Sequence, residues 1–149
     1  MLKEGRGILC VPLTEQRLNQ LQIPLMVQEN TDTHQTQFTV SVDAKNTSTG
    51  VSTKDRLATI KALIDPSTQP EDLKRPGHVF PLKAANNLLE ERKGHTEASL
   101  ELCKQASLNQ AAVFIEIMNE DGTMARNEDL KLFANKHNLK TITIEELLN

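Results

Sequence analysis

Tryptophan and tyrosine are absent from this chain, and phenylalanine occurs only four times in 149 residues. Base-stacking platforms and aromatic sugar clamps therefore have little to be built from. Basic runs are missing too, and a net charge of −3 gives no electrostatic footprint for nucleic acid. The two cysteines, Cys10 and Cys103, lie far apart without metal-ligand spacing. They read as reduced thiols, not as a disulfide framework or a zinc site. No stretch resembles a signal peptide, and no apolar run approaches the length that spans a bilayer. The expectation is a cytoplasmic protein with neither membrane nor nucleic acid as partner.

What the chain does contain is an alternation of strand-like and helix-like segments over a length that suits one domain, residues 1–149. "GILCVPL" (7–13) is a short apolar run fit for a buried strand, and Thr14 can cap a helix over "EQRLNQLQ". "FTVSVDA" (38–44) alternates with period two, as a half-buried strand does. Over 52–65 the spacing of Leu57, Ile60, Ala62 and Ile64 predicts a helix that Pro66 ends. Four of the six prolines fall between Pro66 and Pro81, which predicts an ordered, extended loop there. Residues 95–106 read as a helix with Ala98, Leu102 and Cys103 on one face; 111–118 as a buried strand; 127–138 as an amphipathic helix; 140–144 as a strand. Thr143 and Glu146 resemble a capping box for a final helical turn. The pattern predicts an α/β (α+β) domain with a mixed sheet covered by helices.

The chemistry gathers where periodicity breaks. In "RPGHVFPL", Pro76 and Pro81 restrict the backbone on either side of His78, and rigid placement of a titratable group is what acid–base work requires. The alternative is a turn histidine with a half-buried ring. In "ERKGHTEAS", Arg92, Lys93, Gly94, His95 and Thr96 open a helix whose free N–H groups suit a phosphate. The alternative there is an ordinary helix cap with an exposed His95. Glu116 interrupts the apolar run "AAVFIEIM": it either faces water from an edge strand or points into a pocket as a base. Cys10 reads as a core thiol or a pocket wall. The residues alone suggest an enzyme acting on a phosphorylated small molecule, or a non-catalytic binding domain with the same pocket.

Six blocks occur in one order: "GRGILCVPLT", "FTVSVDA", "TGVSTKDR", "RPGHVFPL", "GHTEAS" and "NEDGTMAR". Together they resemble the 3,4-dihydroxy-2-butanone 4-phosphate synthase family over essentially the whole chain. The resemblance implies a lyase of riboflavin biosynthesis that converts ribulose 5-phosphate into 3,4-dihydroxy-2-butanone 4-phosphate and formate with a divalent cation, Mg2+ or Mn2+. It implies that His78 and Glu116 are essential to catalysis and that Arg92, Lys93, Gly94, His95 and Thr96 hold the substrate around its phosphate. His95 is implied as a metal ligand, Cys10 and Glu116 as substrate contacts, and a homodimer as the assembly.

Family members carry an acidic R-E-N-E-G-D-like loop ahead of the "GRGILC" block, and its carboxylates complete the metal site. No such loop occurs in these 149 residues, so the expectation is a domain truncated at its N-terminus relative to the family, with the remaining carboxylate ligands missing and no turnover by the bare chain. An inactive fragment and a non-catalytic ligand-binding or regulatory paralogue stand as alternatives. "AANNLLEERKG" replaces the glycines that the family often shows near Asn86 and Asn87.

Overall fold

The computed structural model describes residues 1–148. Three strands form one mixed sheet: β1 (Cys10–Leu13), β2 (Val42–Ala44) and β3 (Leu73–Lys83), in the order β1-β3-β2. β1 runs parallel to β3 with Cys10 opposite Phe80, and β2 runs antiparallel to β3. Around the sheet lie α1 (Leu2–Gly5), α2 (Glu15–Gln20), α3 (Thr53–Ile64), α4 (His95–Gln105), α5 (Asn127–His137) and α6 (Ile144–Leu147). This is the mixed α+β architecture that the alternating pattern predicts. Thr14 caps α2 by accepting from the Arg17 amide, and Thr143 and Glu146 form the expected capping box of α6.

The sheet separates two cores. Leu9, Val11, Leu13, Val42 and Val79 pack with Leu18, Leu21, Ile23 and Leu63 in the larger one. Side chains alternate across a strand, so Cys10 on β1 and His78 and Phe80 on β3 face the other side. There the smaller cluster joins Ala84, Leu88 and Leu100, with Ala112 against it. Leu100 belongs to α4, so that helix covers the same face as Cys10 and His78.

Several expectations change. The proline-rich stretch is not a loop over its whole length: residues 73–83 form the longest strand. Its pairing with β2 jumps from Val42↔Val79 to Asp43↔Lys74, so residues 75–78, "RPGH", bulge out of the ladder. The Arg75–Pro76 peptide is cis. "FTVSVDA" is regular strand only over Val42–Ala44, and its polar positions Thr39, Ser41 and Asp43 are all buried. The bulge explains Ser41 and Asp43, whose side chains replace the missing ladder, while Thr39 lies beyond it, its amide meeting the Pro81 carbonyl at 3.1 Å. Thr39 Oγ1 donates to the Pro81 carbonyl at 2.8 Å, and Ser41 Oγ accepts from the Gly77 amide at 3.1 Å.

Residues 111–118 follow β1 through separate bridges, Ala111 to Leu13, Phe114 to Cys10 and Ile117 to Arg6, and stay half-buried instead of forming a continuous buried strand. Residues 140–143 adopt no strand; Leu139 and Ile142 are exposed and no ladder partner meets them among the described residues. Helix α3 forms where expected, yet Leu57 and Ile64 are exposed while Asp55, Thr59 and Leu63 are buried. Thr59 Oγ1 accepts the Ala44 amide at 2.9 Å, docking the helix on the end of β2. In α4 Ala98 and Leu100 are buried and Leu102 is exposed, so its buried face is rotated from the one expected.

Candidate active site

His78 sits on the bulge at the edge of β2. Asp43 holds it twice: Oδ1 accepts the His78 main-chain N–H at 2.9 Å, and Oδ2 lies 2.7 Å from Nδ1. The Asp43 side chain is 8% exposed and that of His78 46%, so the carboxylate is enclosed and the imidazole reaches out. Gly50, at φ 81°, closes the back of this pair; a Cβ there would strike both the Asp43 carboxylate and the His78 ring. Asp55 pins the Gly50 loop by accepting from Ser48 Oγ at 2.7 Å and from the Gly50 amide at 3.2 Å. The Ser48 hydroxyl in particular holds the Asp55 carboxyl below its ordinary range.

Glu116 approaches from the other side of β1. Its Oε2 accepts the Ile8 amide at 2.8 Å. Gly7 makes that possible, since a Cβ at position 7 would overlap the Glu116 side chain. Ile8 is two residues from Cys10, as Glu116 is from Phe114 and His78 from Phe80, so the bridges Cys10↔Phe114 and Cys10↔Phe80 bring Glu116 and His78 to one level on either side of residues 7–9. Cys10 lies beneath them, 1% exposed. Burial first, and the nearby Glu116 charge second, push its thiol up to about 12. The group is therefore a neutral wall and not a nucleophile. Alkylation by iodoacetamide is expected to leave Cys10 unmodified in the folded protein from pH 6 to 9, read by peptide mass mapping. Labelling at a free-thiol rate near pH 8.5 would contradict the enclosure.

His95 is exposed at the first position of α4, with Gly94 as N-cap in extended backbone and Thr96 buried behind it. Arg92 is not a free cation. Its Nη1 bonds Glu97 Oε2 at 2.6 Å, and its Nη2 reaches the His34 carbonyl at 2.9 Å and Thr36 Oγ1 at 3.2 Å. Glu97 is 1% exposed and also accepts the Ala85 amide at 3.1 Å. Lys93 is exposed beside them. A separate cavity of about 190 Å³ opens between Thr14, Glu15, residues 84–88 and Lys104 and takes in none of these side chains.

Sequence reasoning marks His78, Glu116, Cys10 and the Arg92–Thr96 turn; the structure aligns the first three across β3, residues 111–118 and β1, and sets the Arg92–Thr96 turn at the start of α4. It misses Asp43, Gly7 and Gly50 as functional positions. The available signal for Asp43 was a carboxylate ending an alternating strand, a pattern that ordinarily faces water.

The profile of the 3,4-dihydroxy-2-butanone 4-phosphate synthase family matches residues 1–149. The chain belongs to that family. It is 53% identical over 150 residues to the riboflavin biosynthesis protein RibBA of Cytophaga hutchinsonii, spanning 99% of this chain and 37% of that protein. The RibBA of Staphylococcus haemolyticus is 51% identical over 149 residues, 100% of this chain and 38% of its own. The chain thus spans less than half the length of these curated relatives. Among solved structures, a two-domain synthase from A. baumannii superposes with a TM-score of 0.94 at 41% identity, over 99% of this chain and 44% of that one. A synthase in complex with two magnesium ions does so with a TM-score of 0.91 at 39% identity, over 99% and 74%.

Magnesium favours near-octahedral oxygen coordination. Among the described residues no group of three or more His, Cys, Asp or Glu side chains is placed to hold a metal ion. Glu97, next but one to His95, is committed to Arg92 and the Ala85 amide. These residues do not by themselves fit a magnesium or manganese site.

Proposed function

We propose that this chain carries the acid–base groups for converting ribulose 5-phosphate into 3,4-dihydroxy-2-butanone 4-phosphate and formate, within riboflavin biosynthesis. The observation that carries this reading is the placement of His78 and Glu116 at one level of the sheet, each braced by a hydrogen bond from the protein and flanking residues 7–9. The substrate must lose a proton beside its carbonyl, and carbon–oxygen proton exchange must follow before formate leaves. Groups on two sides of the sugar suit that sequence. Glu116 has one oxygen tied to the Ile8 amide, which leaves Oε1 for proton exchange. Cys10, neutral and buried, supports the sugar without reacting.

In this reading the amides at the start of α4, with Lys93, Gly94, Thr96 and the Arg92 edge, take the phosphate, an anion suited to a helix N-terminus. Their role is positioning, with the remote phosphate holding the reacting carbons in place. His95 is one ligand to a divalent ion, whose other ligands the described residues do not assemble. The homodimer implied by the family belongs to the same reading. The inactive-fragment alternative draws no support, since both braced side chains are already in their contacts.

Formate release from ribulose 5-phosphate by the full protein tests the reading. His78→Ala and Glu116→Gln are each expected to lower kcat by about 10²- to 10⁴-fold, the span of a positioned acid or base, with circular dichroism unchanged. Wild-type turnover by either folded variant would remove that residue from the chemistry.

A further inference from the structure

We infer that Asp43 is a positioning residue that fixes the tautomer of His78, so that Nε2 is the nitrogen that exchanges protons with substrate. The inference rests on the acid–base reading of His78 given above.

Its basis is the two-point grip. One carboxylate accepts the His78 main-chain N–H at 2.9 Å and stands 2.7 Å from Nδ1 of the same residue. An ionised carboxylate is an acceptor only. Nδ1 must then carry the hydrogen, and in the neutral ring the lone pair resides on Nε2. Holding main chain and ring at once also fixes the ring's rotation. No water competes for the bond from behind, because Asp43 is 8% exposed and Gly50 packs against both partners with no side chain between. The wall is itself held, through Ser48 and Gly50, by Asp55. Ser41 secures the preceding amide of the bulge, that of Gly77. Ser41 and Asp43 thus take the two successive N–H groups, of Gly77 and His78, that the bulge removes from the ladder.

The proton balance is simple. A proton leaves the carbon beside the substrate carbonyl for Nε2, its bonding pair remains with the substrate as an enediolate, and the imidazolium formed is stabilised by Asp43. The proton returns from Nε2 to the substrate later, and none passes to Asp43.

Asp43→Asn tests this. The amide oxygen can keep the His78 main-chain N–H, which turns the NH2 toward Nδ1 and imposes the Nε2–H tautomer. The expected result is a fall in kcat of about 10³- to 10⁴-fold, the scale of a wrong tautomer in a histidine–carboxylate pair. KM should change less than about threefold, as expected when an interaction made in the transition state is lost. His78→Ala runs in parallel. If His78→Ala keeps its activity, the acid–base reading fails and the inference with it. If His78→Ala is inactive while Asp43→Asn keeps kcat within threefold, the reading stands and the role of Asp43 is overturned. A second measurement does not depend on the variant folding. Nitrogen-15 NMR of the native protein, with neutral His78, should show hydrogen on Nδ1 and a bare Nε2. The opposite tautomer would overturn the inference.

Discussion

Arg92→Ala is expected to lose about 3–5 kcal/mol of folding stability, the cost of leaving one member of a buried ion pair alone. Glu97 is 1% exposed, and after the substitution its carboxylate would retain only the Ala85 amide as partner. The guanidinium also ties residues 34 and 36 to the start of α4 through the His34 carbonyl and Thr36 Oγ1. Losing it frees the segment that runs beside β3 and loosens the turn that presents His95. Against a typical domain stability of about 5–15 kcal/mol, such a loss is severe, and urea unfolding would read it directly. Adding Glu97→Gln to the variant should recover part of the loss, because a neutral amide still accepts the Ala85 N–H without a charge to strand. An Arg92→Ala protein as stable as the wild type would mean that the buried carboxylate finds another partner. A rise in KM without loss of stability would assign the guanidinium to phosphate binding alone.

Gly77→Ala is expected to lower turnover by about 100-fold although it alters no reacting side chain. A Cβ on Gly77 would overlap the main chain of Val42 and Asp43, and a backbone cannot swing aside as a side chain tip can. The bulge would have to move away from β2, taking the His78 amide and ring from Asp43. Displacements near 1 Å at a reacting group can cost about 100-fold in rate, and the overpacking adds about 1–3 kcal/mol of destabilisation. Gly122→Ala is the control. Its φ of 86° is left-handed, as that of Gly77 is not, but nothing lies within 4 Å of the added carbon, so the penalty is the backbone strain of about 1–2 kcal/mol with turnover intact. Formate release and thermal unfolding of the two variants side by side separate the effects. Equal activity in both would show that the close approach at Gly77 does not hold the site.

Much of the site was legible because its residues are grouped in short strings: "RPGH", "RKGHT" and the lone acid of "FIEIM" each break a regular pattern. The α+β class was legible from alternation, and the ends of α2, α3 and α6 from capping residues. Asp43 was not, for a physical reason. Period-two alternation assigns Thr39, Ser41 and Asp43 to water, whereas all three are buried, Ser41 and Asp43 as replacements for the ladder bonds that the bulge in β3 removes. The same blindness rotated α3, where Thr59 is buried because it satisfies a strand amide. The apolar count of "KTITI" invited a strand, but a ladder is a property of two segments, and among the described residues no second one pairs with it. Arg92 is legible beside a helix start as a cation near an anion site, but its acidic partner, five residues on, is visible only in three dimensions.

The division of the sheet between a large apolar layer on one side and the reactive groups on the other governs how the protein can change over generations. Drift at Leu18, Leu21, Ile23 or Leu63 alters heat endurance through a cluster that does not include His78, Cys10 or Glu116. Drift at Gly7, Gly50 or Gly77 alters turnover through contacts that contribute little apolar burial. Stability and activity usually trade against each other when improved through the same residues. Here they draw on different sides of one three-stranded sheet, so a lineage can acquire tolerance of hotter surroundings and a retuned active site in separate steps, in either order.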